Sequence, residues 1–124
     1  MLTKTKPNNI LEKTRNCVYS IPCECQEMYI GETGRPLEKR VVEHKANVRK
    51  MNVSSSKMAE HVYNKDHNIK WEDSKILLKE ADSTKRKMIE SACIMNNNEK
   101  CFSESSVYFH PTWLIMIEKD LPKF

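Results

Sequence analysis

The stretch CVYSIPCECQEMYIGETGRPLEKRVVEH, Cys17 to His44, decides the fold. Cys17 to Ile21 is short, β-prone and bounded by Pro22, and Met28 to Gly31 is a second apolar run. The polar connection Pro22-Cys23-Glu24-Cys25-Gln26-Glu27 between them makes the pair a β-hairpin with one tyrosine on each strand, Tyr19 and Tyr29. Thr33-Gly34-Arg35-Pro36 is a turn, and Pro36 suits the first position of a helix, where a missing N–H costs nothing. Leu37, Val41, His44 and Val48 then share one helical face. Arg40 flanks that stripe one turn before His44, so its stem can lie on apolar surface while its guanidinium reaches a cleft.

Outward from this unit, Asn52 to Ser56 is a serine-rich loop. A short helix from Lys57 to about Tyr63 is predicted to follow, capped by one of the serines. Asn64 to Asn68 breaks it. Ile69 to Trp71 and Lys75 to Leu78 are expected as strand pieces, the second being the better core strand. Asp82 or Ser83 can cap a helix running to about Asn96, with Met88, Ile89, Ala92, Cys93 and Met95 or Asn96 on a largely buried side. Glu90 falls inside its apolar stretch MIESACIM. A carboxylate there is either at the edge of the buried face or held for a purpose, because ionised burial without a partner is very costly. His110-Pro111-Thr112 can start a last helix with Trp113 to Ile117 as its apolar body. The order hairpin, helix, short helix, strand, helix, helix predicts an α/β fold, with a small three-stranded antiparallel sheet flanked by helices.

The 124 residues imply one domain, expected over 16–119 after a polar leader or linker (1–15) and before a short tail (120–124). With 39% hydrophobic and 31% charged residues the composition is that of a globular domain and not of a disordered tail. No run approaches the roughly 18 apolar residues of a membrane span, and the N-terminus lacks the apolar segment of a secretory signal. The five cysteines are odd in number, so reduced thiols and an intracellular setting are expected in place of a disulfide framework. Net charge is +4, and the same excess sits between Arg35 and Lys50, where six Lys or Arg face two Glu. Such a helix is either a solvated face or an electrostatic footprint for a polyanion.

Tyr29-Ile30-Gly31 resembles the second half of the signature of the GIY-YIG endonucleases, and Cys17-Val18-Tyr19 stands where the first half is expected. Arg40 matches that family's arginine on the following helix, and Glu90 its metal-binding glutamate on a later one. Within the family the chain is most similar to the endonuclease domain of Penelope-like retroelements, through the strings VYSIPCECQEMYIGETGR, LEKRVVEH, KMAEHVYNKDHNIKW and KRKMIESACI. The resemblance spans about residues 17–117. It implies DNA-strand cleavage with one divalent metal, Mg2+ or Mn2+. Tyr19 and Tyr29 would position or deprotonate the attacking water, Arg40 would offset charge on the phosphate, Glu90 would hold the metal, and His44 would assist. The chemistry of the residues agrees, since phosphodiester cleavage needs a cation, a carboxylate for a hard metal and a polar group for water. The resemblance further implies a nuclear location and an upstream reverse transcriptase in a full-length element.

The Penelope-like subgroup also has two cysteines between the half-signatures and two histidines downstream, read as a zinc site. Cys23, Cys25, His61 and His67 occupy those places here. A Cys2His2 set would be tetrahedral and closed and would add folding energy to a small domain. Two positions depart from the family pattern. Cys17 replaces the first glycine of the signature, and the segment Glu99 to Ser106 lacks the family's asparagine and the glycine that follows it. These departures motivate the alternative reading, a catalytically inactive nucleic-acid-binding remnant stabilised by zinc.

Overall fold

A computed structural model describes residues 13–103. Strand β1 (Cys17–Pro22) lies between β2 (Met28–Thr33) and β3 (Lys75–Lys79), and both pairings are antiparallel. The helices are α1 (Leu37–Arg49), α2 (Lys57–Lys65) and α3 (Ser83–Asn96). This is the three-stranded antiparallel sheet with flanking helices that the sequence predicts. None of the helices is long and apolar enough to cross a membrane among the described residues.

β1 is central because both of its faces are apolar enough to be covered. Cys17, Tyr19 and Ile21 point to one side and pack with Leu37 of α1 and Met58 of α2. Val18 points to the other and packs with Ile30, Cys93 and Ile94, the last two from α3. Alternation along a strand sends successive side chains to opposite faces, so one six-residue strand nucleates both halves of the core. Cys17 is fully buried and takes part in the first cluster, so its thiol works as core packing.

Local signals set the element ends. Thr14 O accepts from the Leu37 N–H at 2.9 Å, which satisfies the first amide of α1. Pro36 is the N-cap of that helix and not its first turn, with φ −54° and ψ 137°. Its extended ψ is what turns the chain out of the preceding loop. Ser56 caps α2 by accepting from Ala59 N, and Asp82 caps α3 by accepting from Lys85 N. Asp66 closes α2 in the left-handed region at φ 57°, where an Asp is better tolerated than most residues.

Two expectations need correction. Ile69 to Trp71 is not a strand. Ile69 makes one isolated bridge to Cys23, and Trp71–Asp73 is a 3-10 turn. The turn wins because Trp71 O accepts from both the N–H and the hydroxyl of Ser74, the latter at 2.7 Å. Met88 is 39% exposed, whereas the buried side of α3 runs through Arg86, Cys93, Ile94 and the flanking Asn97. Residues two apart on a helix do not share a face, so Met88 turns outward when Arg86 turns in. The leader over residues 1–12, the last helix from His110 and the tail lie outside the described residues.

Candidate catalytic face and metal-ligand cluster

The tyrosines meet because of Gly31. Tyr19 is the cross-strand partner of Gly31, and Tyr29 lies two residues before it on the same face. A Cβ at Gly31 would stand 2.6 Å from Tyr19 Oη and 2.8 Å from Tyr29 Cε2. The absent side chain is the space in which both phenol rings lie. Their centroids are 6.3 Å apart.

His44 is brought against them by α1. Its Nε2 is 2.9 Å from Tyr19 Oη, and its ring meets Tyr29 edge-on at 4.8 Å. Burial, with Arg40 nearby, lowers the imidazole pKa to about 3, against a smaller opposing pull from Glu43. Burial pushes the Tyr19 hydroxyl well above its usual range; Tyr29 adds to this and Arg40 opposes it. Burial raises Tyr29 in the same way, again opposed by Arg40. Neutral phenol therefore faces neutral imidazole, and which one donates follows the imidazole tautomer.

Arg40 stands one turn before His44 on α1 and binds Glu43 Oε1 at 2.9 Å, and Arg35 holds the same carboxylate from the other side. Glu90 approaches from α3. Burial lifts its carboxyl to about 7, the Glu32 carboxylate adds to the shift, and Lys87 and Arg40 oppose it. Tyr19, Tyr29, Arg40, His44 and Glu90 thus share one electrostatic neighbourhood, drawn from β1, β2, α1 and α3.

A second group gathers at the hairpin tip. Ligand atoms of Cys23, Cys25, His61 and His67 all lie within 4.8 Å of one another. Gln26, at φ 77°, makes the tip turn tight, and Cys23 N–H bonds Glu27 O across it at 2.8 Å. Backbone bonds from Glu24 N to Asn68 O (3.0 Å) and from Lys70 N to Pro22 O (2.9 Å) fasten the tip to the chain after α2. The left-handed Asp66 reverses that chain and returns His67 to the side of His61, with ring centroids 5.5 Å apart.

The donor set fits a metal such as zinc. Two sulfurs and two imidazole nitrogens are a tetrahedral zinc set, whose donor atoms sit roughly 3.4–3.8 Å apart at normal bond lengths. Cys25 Sγ and His61 Nε2 are 3.3 Å apart. His67 Nδ1 is a buried nitrogen without a hydrogen-bond partner. Burial lowers the His61 pKa, although Glu27 opposes it, and this favours the neutral imidazole that ligation requires. Burial raises the Cys23 thiol, so a cation is what would bring it to the thiolate form.

Three features carry no local sequence signal. Arg86 is buried on α3 and donates to Glu32 Oε1 at 2.7 Å and to Glu80 O at 3.1 Å. Ser103 Oγ accepts from Ile30 N–H at 2.7 Å and donates to Ile30 O at 2.9 Å. Phe102 stacks on His61. The signal that could have found the last two is the unpaired outer edge of β2, which the polar segment after α3 satisfies.

No family model matches the chain, and comparison with curated proteins and with solved structures returns no match.

Proposed function

We propose that this chain is a metal-dependent endonuclease that nicks DNA, of the GIY-YIG kind and most like the endonuclease domain of Penelope-like retroelements. One observation carries the reading. Tyr19 is hydrogen-bonded to His44 beside Tyr29, and the same pocket is under the fields of Arg40 and Glu90. This set is two tyrosines, an arginine, a histidine and a carboxylate, in the chain order of the family pattern.

The residues divide the work of phosphodiester cleavage. Tyr19 and Tyr29, both protonated, orient water through their hydroxyls; their raised pKa values favour this role over proton abstraction in the free protein. His44 fixes the Tyr19 hydroxyl. Arg40 keeps its charge and lies at the edge of the tyrosine pair, where it can offset charge on the scissile phosphate. Glu90 is the carboxylate for Mg2+ or Mn2+. It fits this use because its raised pKa marks a carboxylate short of positive charge, and one carboxylate with substrate phosphate is an ordinary magnesium environment. When bound, the cation would supply Lewis acidity at the phosphate and acidify water.

Zinc at Cys23, Cys25, His61 and His67 has a structural role in this reading. The basic surface of α1 carries the DNA phosphates, and an attached reverse transcriptase in a nuclear element would supply target choice.

The test is nicking of supercoiled plasmid with Mg2+ or Mn2+, comparing wild type with Glu90→Ala. Wild-type nicking that falls at least about a thousandfold in the variant is the expected result. Cutting by Glu90→Ala at the wild-type rate refutes the assignment. No nicking by either protein, with the fold intact and salt-sensitive DNA binding retained, selects the inactive nucleic-acid-binding remnant.

A further inference from the structure

The chain after α3 returns to the sheet and lies along the outer edge of β2. Met28 N–H bonds Lys100 O at 2.8 Å, Phe102 N–H bonds Met28 O at 3.0 Å, and Ser103 grips both sides of the Ile30 peptide. The Phe102 backbone is therefore fixed from two directions. Its side chain then has one place to go, the gap between the Cys/His cluster and the tyrosine pair. The Phe102 ring lies on His61 with centroids 4.0 Å apart and planes only 6° from parallel. Its other neighbour is Tyr29, at 6.0 Å and 48°. Tyr29 in turn meets His44, and His44 holds Tyr19.

We propose that Phe102 is a positioning residue that transmits occupancy of the Cys/His centre to Tyr29. The inference rests on the catalytic-face and metal-centre readings above. A bound metal fixes the imidazole plane of His61 through its ring nitrogen. A phenyl stacked on it would follow that plane, and Tyr29 packs against the phenyl. The Cys25 and Glu27 contacts of His61, at 3.3 Å and 3.9 Å, act on its ring nitrogens and not on its face. The coupling would run through packed rings, His61 on Phe102 and Phe102 on Tyr29.

The experiment follows the Tyr29 ring by NMR in protein with 13C-labelled tyrosine, the signal assigned by its loss in Tyr29→Phe. Zinc is titrated into metal-stripped protein, and uptake is measured separately by chelator-dye competition. In the wild type, zinc uptake moves the Tyr29 signal. In Phe102→Leu, zinc binds about tenfold more weakly, and at saturation most of the Tyr29 movement is lost. Phe102→Trp keeps a ring on His61 and restores the movement. Should Phe102→Leu fail to fold, Phe102→Met gives the same comparison with a flexible side chain of similar volume. Full-sized Tyr29 movement in the folded aliphatic variant overturns the proposal. So does a wild-type Tyr29 signal that zinc uptake leaves in place. Failure of the wild type to take up zinc also overturns it, and the dye assay identifies that outcome as failure of the metal centre itself. None of these results depends on plasmid nicking, so the nuclease reading stands or falls separately.

Discussion

The same hairpin carries two reactive groups of opposite character. At its tip, Cys23 and Cys25 join His61 and His67 in a closed set of soft donors around one point. Along its strands, Tyr19 and Tyr29 lie with His44, Arg40 and Glu90 in a set with one carboxylate, one guanidinium and two phenols. The first offers four donors, enough for a closed tetrahedral shell, and so suits a metal that adds stability. The second has a single carboxylate, desolvated by burial, so in the proposed reading a metal there would take its other ligands from water and phosphate. In the proposed reading, a shape-holding set and a reacting set occupy two ends of one hairpin.

Removing a metal held at the tip is expected to have the largest effect. Chelation, or Cys23→Ser in zinc-loaded protein, is expected to cost about 3 kcal/mol and to lower Tm by roughly 15 °C, read by calorimetry. An unchanged Tm in chelator would make the tip a surface ornament. Next in size is Gly31→Ala. The new Cβ would collide with Tyr19 Oη, costing about 2 kcal/mol of stability by overpacking and about a hundredfold in nicking by displacing the phenol. A variant that keeps both would show that the close approach is incidental.

A third measurement sharpens the contrast through protons. His44 is held neutral in the folded protein down to about pH 3, against 6.5 when free. A depressed folded pKa contributes stability that is full above 6.5 and lost as pH falls toward 3. The His44 ring protons should therefore titrate near 3 by NMR, and a midpoint near 6.5 would mean that the Tyr19 contact is open in solution. The smallest effect is expected on α1. Lys39, Arg49 and Lys50 are exposed there, so their joint replacement by Gln should leave Tm within about 2–4 °C. It should weaken DNA binding and flatten the salt dependence by up to about 0.9 per lost phosphate contact. An unaltered slope would move the DNA to another surface.

What was legible in the sequence was local. The hairpin, the Ser56 and Asp82 caps and the face of Leu37 and His44 depend on residues a few positions apart. The two reactive sets were legible only as a family-like order of residue types; their convergence depends on the fold. His61 and His67 show why. At helical spacing they would point to different sides, and only the left-handed Asp66 brings them together. Phe102, Ser103 and the Arg86–Glu32 pair were illegible because their partners are remote in the chain. Met88 was misread because apolar character alone does not fix which turn of α3 faces the sheet.

β3 has a consequence for the company this protein keeps. It is the sheet's other outer strand, five residues long, with an exposed lysine at each end and Ile76-Leu77-Leu78 between them. An outer strand with free backbone groups invites a second chain to add on, and short length with terminal charge is the usual defence. A bulge between Val18 and Tyr19 opposite β3 also breaks the regular register that stacking chains need. Among the described residues the β2 edge is occupied by the chain after α3, and the two lysines and the bulge are what oppose growth of the sheet at β3. Lys75→Val with Lys79→Val would turn KILLK into VILLV and is expected to raise the tendency to aggregate.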